Sequence, residues 1–500
     1  MRTPARVPKP VKARRERLEP DALLRIDLAL FRRLARWRAP FLDRTLPPLT
    51  RFANKSKLWA LIAVLMGLSG GRFGRRGALR GMVSVAATSA VANIPGKLLT
   101  RRKRPDPKLT PVVRRLARMP TSSSFPSGHS ASAFAFATGV AMERPMLAPP
   151  LIALAATIGF SRVYTGAHYP SDVVAGAALG AGIALASRRY WPVAPDEPAE
   201  VRAALTRSHQ QPLPDGTGLA IAVNPSSGPA VGRSPAQELR EALPGADVIE
   251  LEEGMDLEKV LEAAAGTARA LGVAGGDGSV NTAAAVAHRH GMPLLVVPSG
   301  TLNHFARDLG VAGVADAVRA VKEGSTAAVD VASIHGHGFL NTASFGAYVE
   351  LVDARERLES RIGKWPAVLV ALVRVMREAE PLDLEIDGKP ARVWMAFIGN
   401  CRYHPRGFTP SWRERLDDGQ LDVRIVSASQ AWSRAKLVWS IVTGRLASCP
   451  AYECSLAERI EVRSMQGPLR LARDGETFDG SNRFVIEKLP KPLAVFTPSD

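Results

Sequence analysis

The first part of the chain contains a set of polar side chains that could act on a phosphate ester. The set comprises three cations, two histidines, one carboxylate and a serine–glycine pair: Lys97, Arg104, Arg162, His129, His168, Asp172, Ser127 and Gly128. All lie in or beside apolar segments, where a charged group is costly unless it binds something. Lysine and arginine can neutralise phosphoryl oxygens, and the Ser127-Gly128 backbone can donate hydrogen bonds to them. The set therefore predicts a site for a phosphoryl group.

His168 is the candidate reactive group of this set because its imidazole lies four residues before Asp172. Two residues at this spacing share one face of a helix. The carboxylate could then fix the tautomer of the imidazole and stabilise its cationic form. A histidine in a helical bundle is more often structural than catalytic, so this prediction depends on the whole set.

A second candidate site begins at Gly275-Gly276-Asp277-Gly278-Ser279-Val280-Asn281, which follows the apolar run Leu271–Ala274. The pattern predicts a buried strand that ends in glycines and a helix that begins at the Ser279–Asn281 cap. Glycines allow the backbone to approach a phosphate closely, and the N–H groups of a helix start bind anions. An ordinary strand-to-helix turn is the alternative.

Two other glycine-bearing loops follow predicted strands in the same region. Asn224–Gly228 follows Leu219–Val223, and Pro298–Ala306 follows Pro293–Val297. The loops of a parallel sheet that share one edge meet at a crevice, where such sheets bind ligands. Neither the Walker A pattern nor a Rossmann GxGxxG is present. The three loops together predict a phosphate-binding crevice.

The charge balance of the chain predicts an anionic partner. Its 500 residues include 66 Lys and Arg against 47 Asp and Glu, for a net charge of +19 and a pI near 10.4. The partner could be nucleic acid or an acidic lipid surface. No zinc-finger spacing or aromatic RNA-binding signature occurs, so we expect membrane lipids and no nucleic acid. The three cysteines are too few for a disulfide framework or a four-thiolate metal site.

The first site must be positioned by the helices of residues 57–190. Five apolar runs rich in Ala, Gly and Ser occur here, at Leu58–Gly70, Gly81–Gly96, Ser130–Met142, Pro145–Phe160 and Val173–Ser187. Such runs suit closely packed membrane helices, and a soluble helical bundle is the alternative. The stretch between the first two runs predicts a cytoplasmic hairpin, because it holds Arg72, Arg75, Arg76 and Arg80.

The rest of the chain divides into four further segments. Residues 1–56 are basic and lack a signal-peptide pattern, and Asp21–Arg38 is predicted to be an amphipathic helix, either on an anionic membrane or packed on its own domain. The Pro-rich stretch 191–215 predicts a linker. Residues 216–330 alternate between strand and helix patterns, which predicts an α/β lobe with a doubly wound parallel sheet. Residues 331–497 predict a mostly antiparallel β lobe, with a cleft between the two lobes.

The first set resembles the three-part signature of the type 2 phosphatidic acid phosphatase family, with no residue missing, over about residues 57–190. The resemblance implies that His168 is the nucleophile that forms a phosphohistidine, that Asp172 orients it, and that His129 protonates the leaving alcohol. It implies no metal, and a phosphate held by Lys97, Arg104, Ser127, Gly128 and Arg162. Members typically have one span more than the five runs found here, and the helix Asp21–Arg38 stands where the first would be.

The second set resembles the catalytic domain of diacylglycerol kinases and sphingosine-kinase-like lipid kinases, over about residues 216–497. In that family ATP is the phosphoryl donor. The resemblance implies an ATP site formed by Asn224, Gly275, Gly276, Asp277, Gly278, Ser279, Gly300, Thr301 and Asn303. Ser279 stands where the family usually has Thr, which keeps the hydroxyl.

Two later segments carry the rest of this resemblance. Asp417–Asp422 resembles the structural Mg²⁺ site of the family, which implies a site formed by the Asp418 side chain and the carbonyls of Arg415 and Gln420. Asp474-Gly475-Glu476 matches the DGE segment, which implies that Glu476 is the base for the lipid hydroxyl. Asp277 would position the metal-bound phosphates of ATP.

These observations lead to one main hypothesis and two alternatives. The main hypothesis is a bifunctional membrane enzyme that phosphorylates a lipid alcohol such as diacylglycerol and dephosphorylates a lipid phosphate, with its kinase domain in the cytoplasm. In the first alternative the kinase-like part is a nucleotide- or lipid-binding regulator of the phosphatase. The second alternative is a basic nucleic-acid binder. The sequence leaves open the lipids used, the number of spans, the sidedness of the phosphatase site, and a homodimer.

Overall fold

The computed structural model describes residues 22–498 apart from 70, 93–101, 117–121, 194, 196, 204–211, 226–232, 253, 301–302, 363–369, 371–373, 376, 408–410 and 431. Lys97 and Thr301 therefore lie outside the described residues, as does much of the Asn224–Gly228 loop. The chain divides into two compact units, Met1–Val193 and Ala194–Asp500. Below they are the helical unit and the two-lobed unit.

The helical unit is built from α-helices packed on one another. Those described are α1 (Ala22–Arg36), α2 (Pro40–Phe52), α3 (Lys57–Ser69), α4 (Gly71–Val91), α5 (Gly128–Glu143), α6 (Ala148–Tyr164) and α7 (Pro170–Ala186). Most of the described residues of the five predicted apolar runs lie in α3 to α7, and residues 93–96 of the second run lie outside the described residues. Glycines allow these helices to approach closely, because a Cβ at Gly139 would lie 3.0 Å from Cα of Gly81 and one at Gly180 only 2.0 Å from the Ala131 carbonyl oxygen.

The arginines of the predicted cytoplasmic hairpin belong to a helix. α4 begins at Gly71, so the four arginines lie on its first turns and not in a loop between two runs. Arg76 and Arg80 instead pair with the two oxygens of Glu143 on α5, at 2.6 and 2.5 Å. Because Arg80 and Glu143 are both buried, their charges must be paired in this way.

Two stretches of the described residues, Pro145–Tyr164 and Pro170–Arg189, are helical, 20 residues long and apolar enough to cross a membrane. The outer surface of α3 is also apolar, since Leu61, Val64, Leu65 and Leu68 are exposed. The predicted helix near the N-terminus is present as α1, and it packs on its own unit through buried Asp27 and Phe31.

The α/β lobe of the two-lobed unit contains a sheet of seven strands. In spatial order they are β1 (Arg202–Ala203), β6 (Thr326–Val329), β20 (Leu493–Phe496), β5 (Leu294–Pro298), β4 (Ala270–Gly275), β2 (Leu219–Val223) and β3 (Asp247–Glu250). The five strands from β20 to β3 are mutually parallel, whereas β1 and β6 are antiparallel to their neighbours. Every residue of β2 and β4 is buried, as expected for strands covered on both faces.

Helices cover this sheet and connect its strands. They are α8 (Pro235–Ala242), α9 (Leu257–Ala265), α10 (Asp277–His290), α11 (His304–Asp308) and α12 (Val314–Glu323). Two strands depart from the predicted segments. β1 comes from the stretch predicted to be a linker, and β20 comes from the stretch predicted to belong to the β lobe.

The β lobe contains a second sheet, and every pairing in its described part is antiparallel. Its strands are β7 (Ala332–Ile334), β8 (His337–Phe339), β9 (Thr342–Gly346), β10 (Leu382–Ile386), β11 (Lys389–Asn400), β14 (Leu421–Ser427), β15 (Tyr452–Ala457), β16 (Arg459–Ser464), β17 (Arg470–Arg473), β18 (Glu476–Asp479) and β19 (Arg483–Lys488). A small pair, β12 (Tyr403–His404) and β13 (Trp412–Arg413), and the helices α13 (Ala347–Ile362) and α14 (Ser433–Val442) complete the lobe. The predicted fold class, a helical domain followed by an α/β lobe and an antiparallel β lobe, is confirmed.

Two candidate active sites

A cavity of about 210 Å³ lies among the helices of the helical unit. Five of the predicted site residues line it, namely Arg104, Gly128, His129, Arg162 and His168. Lys55, Ser56, Ser89, Ser122 and Ser132 also line it and were not predicted. We call it the helical-unit cavity. It brings two arginines and two histidines to one solvent-accessible space, which is the chemistry needed to bind and attack a phosphate ester.

His168 lies in the turn between α6 and α7, so the prediction that it shares a helix face with Asp172 is wrong. Its Nδ1 is 2.7 Å from the Ser124 carbonyl oxygen and 3.7 Å from Oδ2 of Asp172. Because a carbonyl oxygen only accepts, Nδ1 carries the proton and donates it to Ser124. The lone pair of Nε2, 3.2 Å from Nη1 of Arg104, is therefore the nucleophilic position.

The ring of His168 is neutral at pH 7. Its pKa is lowered to about 4, mainly by burial, with Asp172 acting to raise the pKa and nearby Arg162 and Arg104 acting to lower it. A neutral imidazole keeps the Nε2 lone pair that a nucleophile requires. The carboxylate of Asp172 therefore lies near an uncharged imidazole in the resting site. It would stabilise a cationic imidazole only after the ring of His168 gains charge.

Asp172 is held by groups that the sequence analysis missed. It is buried at the start of α7, where Oδ1 accepts from Nη1 of Arg102 at 2.7 Å and Oδ2 from the Tyr169 N–H at 2.9 Å. Arg102 also pairs with Asp27 of α1, and Asp27 accepts the Ser171 N–H at 2.9 Å. A chain of charged hydrogen bonds thus runs from α1 to the carboxylate beside His168.

The two arginines of the cavity are fixed by different contacts. Arg104 donates to the carbonyl oxygens of Ala167 and Ser122 at 2.7 and 2.9 Å. Arg162 is buried and donates from Nη1 to Thr50 at 3.0 Å, and its Nε has no hydrogen-bond partner among the described residues. A buried guanidinium with an unused donor at a cavity is suited to bind an anion.

The start of α5 supplies the remaining groups. Ser127 is the N-cap residue and is buried, so its hydroxyl, which bonds Ser130, does not line the cavity. Gly128 and His129 do line it, and the first N–H groups of a helix have no intrahelical partner. Nε2 of His129 is 2.7 Å from Oδ1 of Asn54, which fixes the orientation of its ring.

The glycine loops of the α/β lobe form the second site. β4 ends at Gly275 and α10 begins at Asp277 with Gly276 as N-cap, so the predicted helix start at Ser279–Asn281 is two residues too late. The Ser299 N–H donates to the Gly275 carbonyl at 3.2 Å, and a Cβ at Gly300 would lie 2.5 Å from Cα of Gly276. The two loops therefore touch through glycine backbones.

Other predicted ATP-site residues lie around these loops. Asn303 adopts a left-handed backbone and closes its loop, since Oδ1 accepts the Gly300 N–H at 3.0 Å and Nδ2 donates to the Gly300 carbonyl at 2.7 Å. Oδ1 of Asp277 accepts the Phe305 N–H at 3.3 Å, which joins the starts of α10 and α11. Asn224 follows β2 at the same sheet edge, where its N–H donates to the Ala274 carbonyl at 2.9 Å.

The β lobe presents Glu476 to this edge. Glu476 begins the edge strand β18 and is exposed, and a Cβ at Gly278 would lie 3.0 Å from its Oε1. The structure thus brings together the predicted base and the predicted glycine loop, which are about 200 residues apart in the sequence. The carboxylate can accept a proton from a hydroxyl held at the loop.

Asp474 and Gly475 form the turn that presents Glu476. Both have positive φ, 44° and 91°, in the two-residue loop between β17 and β18, as Asp-Gly hairpins favour. The carboxylate of Asp474 accepts the N–H groups of Leu340, Asn341 and Thr342 at 2.8 to 2.9 Å. Desolvation nevertheless raises the pKa of Asp474 to about 6. The turn is therefore anchored to the start of β9.

Arg413 joins the two lobes of this unit and was not predicted. It is buried, and it pairs through Nε with Asp308 of α11 at 2.9 Å. It also donates to the Leu340 carbonyl and to Oδ1 of Asn341, at 2.7 and 3.0 Å. Leu340 and Asn341 are the segment that holds Asp474, so one guanidinium links the helix after the Gly300 loop to the turn before Glu476.

The predicted Mg²⁺ ligands lie on a turn of the β lobe. The carboxylate of Asp418 accepts the N–H groups of Arg402 and Gln420, each at 2.9 Å, and the Gln420 carbonyl accepts the Cys401 N–H at 3.0 Å. Each oxygen keeps a second lone pair, and oxygen donors of this kind fit Mg²⁺. The side chain of Arg415 pairs with Asp417 and Glu200, so only its carbonyl could serve as a ligand.

Three family models match successive parts of the chain. The PAP2 superfamily matches residues 78–195, the diacylglycerol kinase catalytic domain residues 218–334, and the YegS C-terminal NAD kinase beta sandwich-like domain residues 343–497. These matches lie in the later part of the helical unit, in the α/β lobe and in the β lobe in turn.

Individual relatives agree with these matches. A "Probable lipid kinase YegS-like" of Xanthomonas euvesicatoria pv. vesicatoria is 32% identical over 276 residues, which are 50% of this chain and 85% of the relative. A "Decaprenylphosphoryl-5-phosphoribose phosphatase" of Mycobacterium tuberculosis is 33% identical over 135 residues, 27% of this chain and 72% of the relative. An uncharacterized protein of Synechocystis sp. is 28% identical over 235 residues, and the chain spans only 54% of its length. The chain thus belongs to the YegS-like lipid kinase family through its two-lobed unit and to the PAP2 superfamily through its helical unit.

Proposed function

We propose that the protein is a membrane-bound enzyme with two active sites. One transfers the γ-phosphoryl group of ATP to a lipid alcohol such as diacylglycerol, and the other hydrolyses a lipid phosphate monoester through a phosphohistidine. The observation that carries the proposal is that the reactive group of each predicted set lies beside other described members of that set. Nε2 of His168 lies beside Arg104 at the helical-unit cavity, and Oε1 of Glu476 lies against Gly278.

In the phosphatase reaction, Nε2 of His168 attacks phosphorus as the bond to the lipid oxygen breaks. Arg104, Arg162 and the N–H groups at the start of α5 bind the phosphoryl oxygens and their developing charge. His129 gives a proton to the leaving alkoxide. Water then attacks the phosphohistidine, the P–N bond breaks, and inorganic phosphate leaves. No step of this reaction requires a metal ion.

In the kinase reaction, the ATP phosphates lie against the loops at Gly275–Gly278 and Gly300–Asn303. Glu476 accepts the proton of the lipid hydroxyl while the hydroxyl oxygen attacks the γ-phosphorus and ADP leaves. Asp277 positions the phosphate chain at the start of α10. Mg²⁺, when bound with ATP, neutralises phosphate charge, and the Asp418 turn would hold a second, structural ion.

Membrane association is part of the proposal. It is supported by the two apolar stretches Pro145–Tyr164 and Pro170–Arg189 and by the exposed leucines of α3. The net charge of +19 favours a membrane that contains anionic lipids. The kinase site would face the cytoplasm, where ATP is present.

Removal of divalent metal should separate the two activities. With excess EDTA, we expect transfer of label from γ-labelled ATP to dioleoylglycerol to fall to background, because the transferring phosphates lose their counter-charge. Release of phosphate from labelled phosphatidic acid by the same reconstituted protein should not change. Added Mg²⁺ should restore the kinase reaction, which serves as the control. Phosphate release that disappears with EDTA and returns with Mg²⁺ would contradict the metal-independent mechanism.

Substitution of Gly300 by alanine should impair ATP use. The added methyl group would meet Cα of Gly276 at 2.5 Å and force the two loops apart. Because small displacements of bound groups are costly in catalysis, we expect kcat/KM for ATP to fall by about 100-fold. Gly313→Ala is the matched control, since Gly313 has extended backbone and no atom within 4 Å of an added Cβ. Equal activity of the two variants would show that loop contact is not required.

A further inference from the structure

Helix α14 of the β lobe has one face packed on the lobe and one face exposed. Leu437 is buried and packs with Val426 and Leu446, and Ile441 packs against the same cluster. The opposite face exposes Trp439 (70%) and Val442 (62%). An exposed tryptophan and valine on one side of a short helix form an apolar surface that the described residues of the lobe leave open.

Trp432, the residue before α14, adds to this surface. The residue is 82% exposed, and its φ is 61°, in the left-handed region that a bulky residue rarely adopts. Because Trp432 is exposed, burial of its side chain does not offset the free-energy cost of that backbone conformation. The conformation instead displays a second tryptophan beside the exposed face of α14. We call Trp432, Val438, Trp439 and Val442 the α14 patch.

Within the segment of chain that carries the α14 patch, all charges have one sign. Residues 427–452 contain no Asp or Glu, and their cations are Arg434, Lys436 and Arg445. Arg434 is held by the Ala379 carbonyl and by the ring of Trp394, 4.5 Å away, whereas Lys436 and Arg445 are exposed. Tryptophan with flanking lysine and arginine is the composition of a helix that lies at the interface of an anionic bilayer.

We propose that the α14 patch seats the two-lobed unit on a bilayer that contains anionic lipids. The proposal rests on the kinase activity proposed above, because a kinase with a membrane-embedded lipid alcohol must work at the bilayer surface. The tryptophans enter the headgroup region, and Lys436 and Arg445 face lipid phosphates. The patch thereby raises the rate on substrate held in vesicles without touching the reacting groups.

A lipid-contact measurement tests the surface independently of catalysis. The full chain is reconstituted in phosphatidylcholine vesicles containing phosphatidylglycerol and labelled with a fluorophore at Trp439→Cys. The background carries Cys454→Ser, because Cys401 and Cys449 are buried. We expect brominated acyl chains to quench this label and to leave unquenched the control label at Met255→Cys, a comparably exposed residue of the α/β lobe. Absence of quenching at 439 or equal quenching at both positions would overturn the proposal. A label at 439 that is shielded from a soluble quencher and is also not quenched by brominated lipid would overturn it by pointing to a protein contact.

A kinetic measurement tests whether the α14 patch raises the kinase rate on substrate held in vesicles. We expect the double variant Trp432→Ser, Trp439→Ser to lose about tenfold in kinase rate on dioleoylglycerol in vesicles. Its rate on a dispersed short-chain diacylglycerol, and its release of phosphate from phosphatidic acid, should equal those of the unmodified protein. Lys436→Glu should remove the gain that phosphatidylglycerol gives. Equal losses on both alcohols would overturn the proposal. An unmodified protein inactive on both alcohols would instead refute the kinase, and the label would still decide the surface.

Discussion

Replacement of His168 by alanine is expected to abolish phosphate release from phosphatidic acid and to leave ATP-dependent lipid phosphorylation unchanged. Nε2 of His168 is the nitrogen with a lone pair beside Arg104, since Nδ1 donates to Ser124. Alanine removes the atom that forms the covalent bond to phosphorus in the proposed mechanism. Loss of a nucleophile costs on the order of 10⁴-fold or more in kcat. The kinase rate of the same sample shows that its two-lobed unit is folded and controls for the amount of protein in the vesicles.

Trapping of the covalent intermediate makes this prediction specific. Wild-type protein mixed briefly with labelled phosphatidic acid and quenched in alkali should retain label on the protein and lose it in acid, as a phosphohistidine does. His168→Ala should retain none. His288→Ala is a matched control, because His288 belongs to the two-lobed unit and bonds the Lys491 carbonyl. Label on the His168→Ala protein would refute the assignment of the nucleophile.

Replacement of Glu476 by glutamine is expected to lower the kinase kcat by about 10²- to 10⁴-fold, since the amide keeps the shape of the side chain and cannot accept a proton. KM for ATP should change little, because the phosphate-binding loops are backbone structures. Phosphate release from phosphatidic acid should be unaffected. Both rates are measured on one reconstituted sample.

The matched control for Glu476 is Asp479→Asn on the same strand. Asp479 is also an exposed carboxylate, and it pairs with Arg470 at the surface. Exposed pairs of this kind contribute about 0 to 1 kcal/mol, so we expect full kinase activity. A Glu476→Gln protein that retains the activity of this control would show that another group accepts the proton.

The sequence predicts the fold class and the gathering of the reactive groups well, because these follow from local patterns. Buried runs such as β2 and β4 are recognisable from their uniform apolar residues. β1 and β20 are not, since they are short and their pairing is decided by sheet topology over long sequence separations. Local composition therefore assigned them to a linker and to the wrong lobe.

Charge pairs between residues far apart in the sequence also could not be predicted from local patterns. In the sequence, the arginines of α4 resemble those of a cytoplasmic loop. The structure pairs two of them with Glu143, which is 67 residues from Arg76. Arg102 lies in a run of basic residues and has no local feature that marks it as the partner of Asp172 and Asp27. Spacing identified His168 and Asp172, but their proximity comes from a turn and not from a shared helix face.

The buried anchors of the kinase site were also beyond local patterns. Asp474 could be read as part of an ordinary surface turn, and only the structure shows it accepting three backbone N–H groups of another segment. Arg413 stands in no motif, although it bonds Asp308, Leu340 and Asn341. Both groups owe their role to tertiary contacts made only when the two lobes of the unit are assembled.

The central claim, two independent active sites in one chain, is tested most directly by following one lipid mixture with three proteins. Wild type, His168→Ala and Glu476→Gln are reconstituted in vesicles containing dioleoylglycerol and a distinguishable phosphatidic acid, and both lipids and their products are quantified by mass spectrometry after ATP is added. We predict that His168→Ala phosphorylates the alcohol and spares the lipid phosphate, and that Glu476→Gln does the reverse. Loss of both conversions in either single variant would contradict the two-site account.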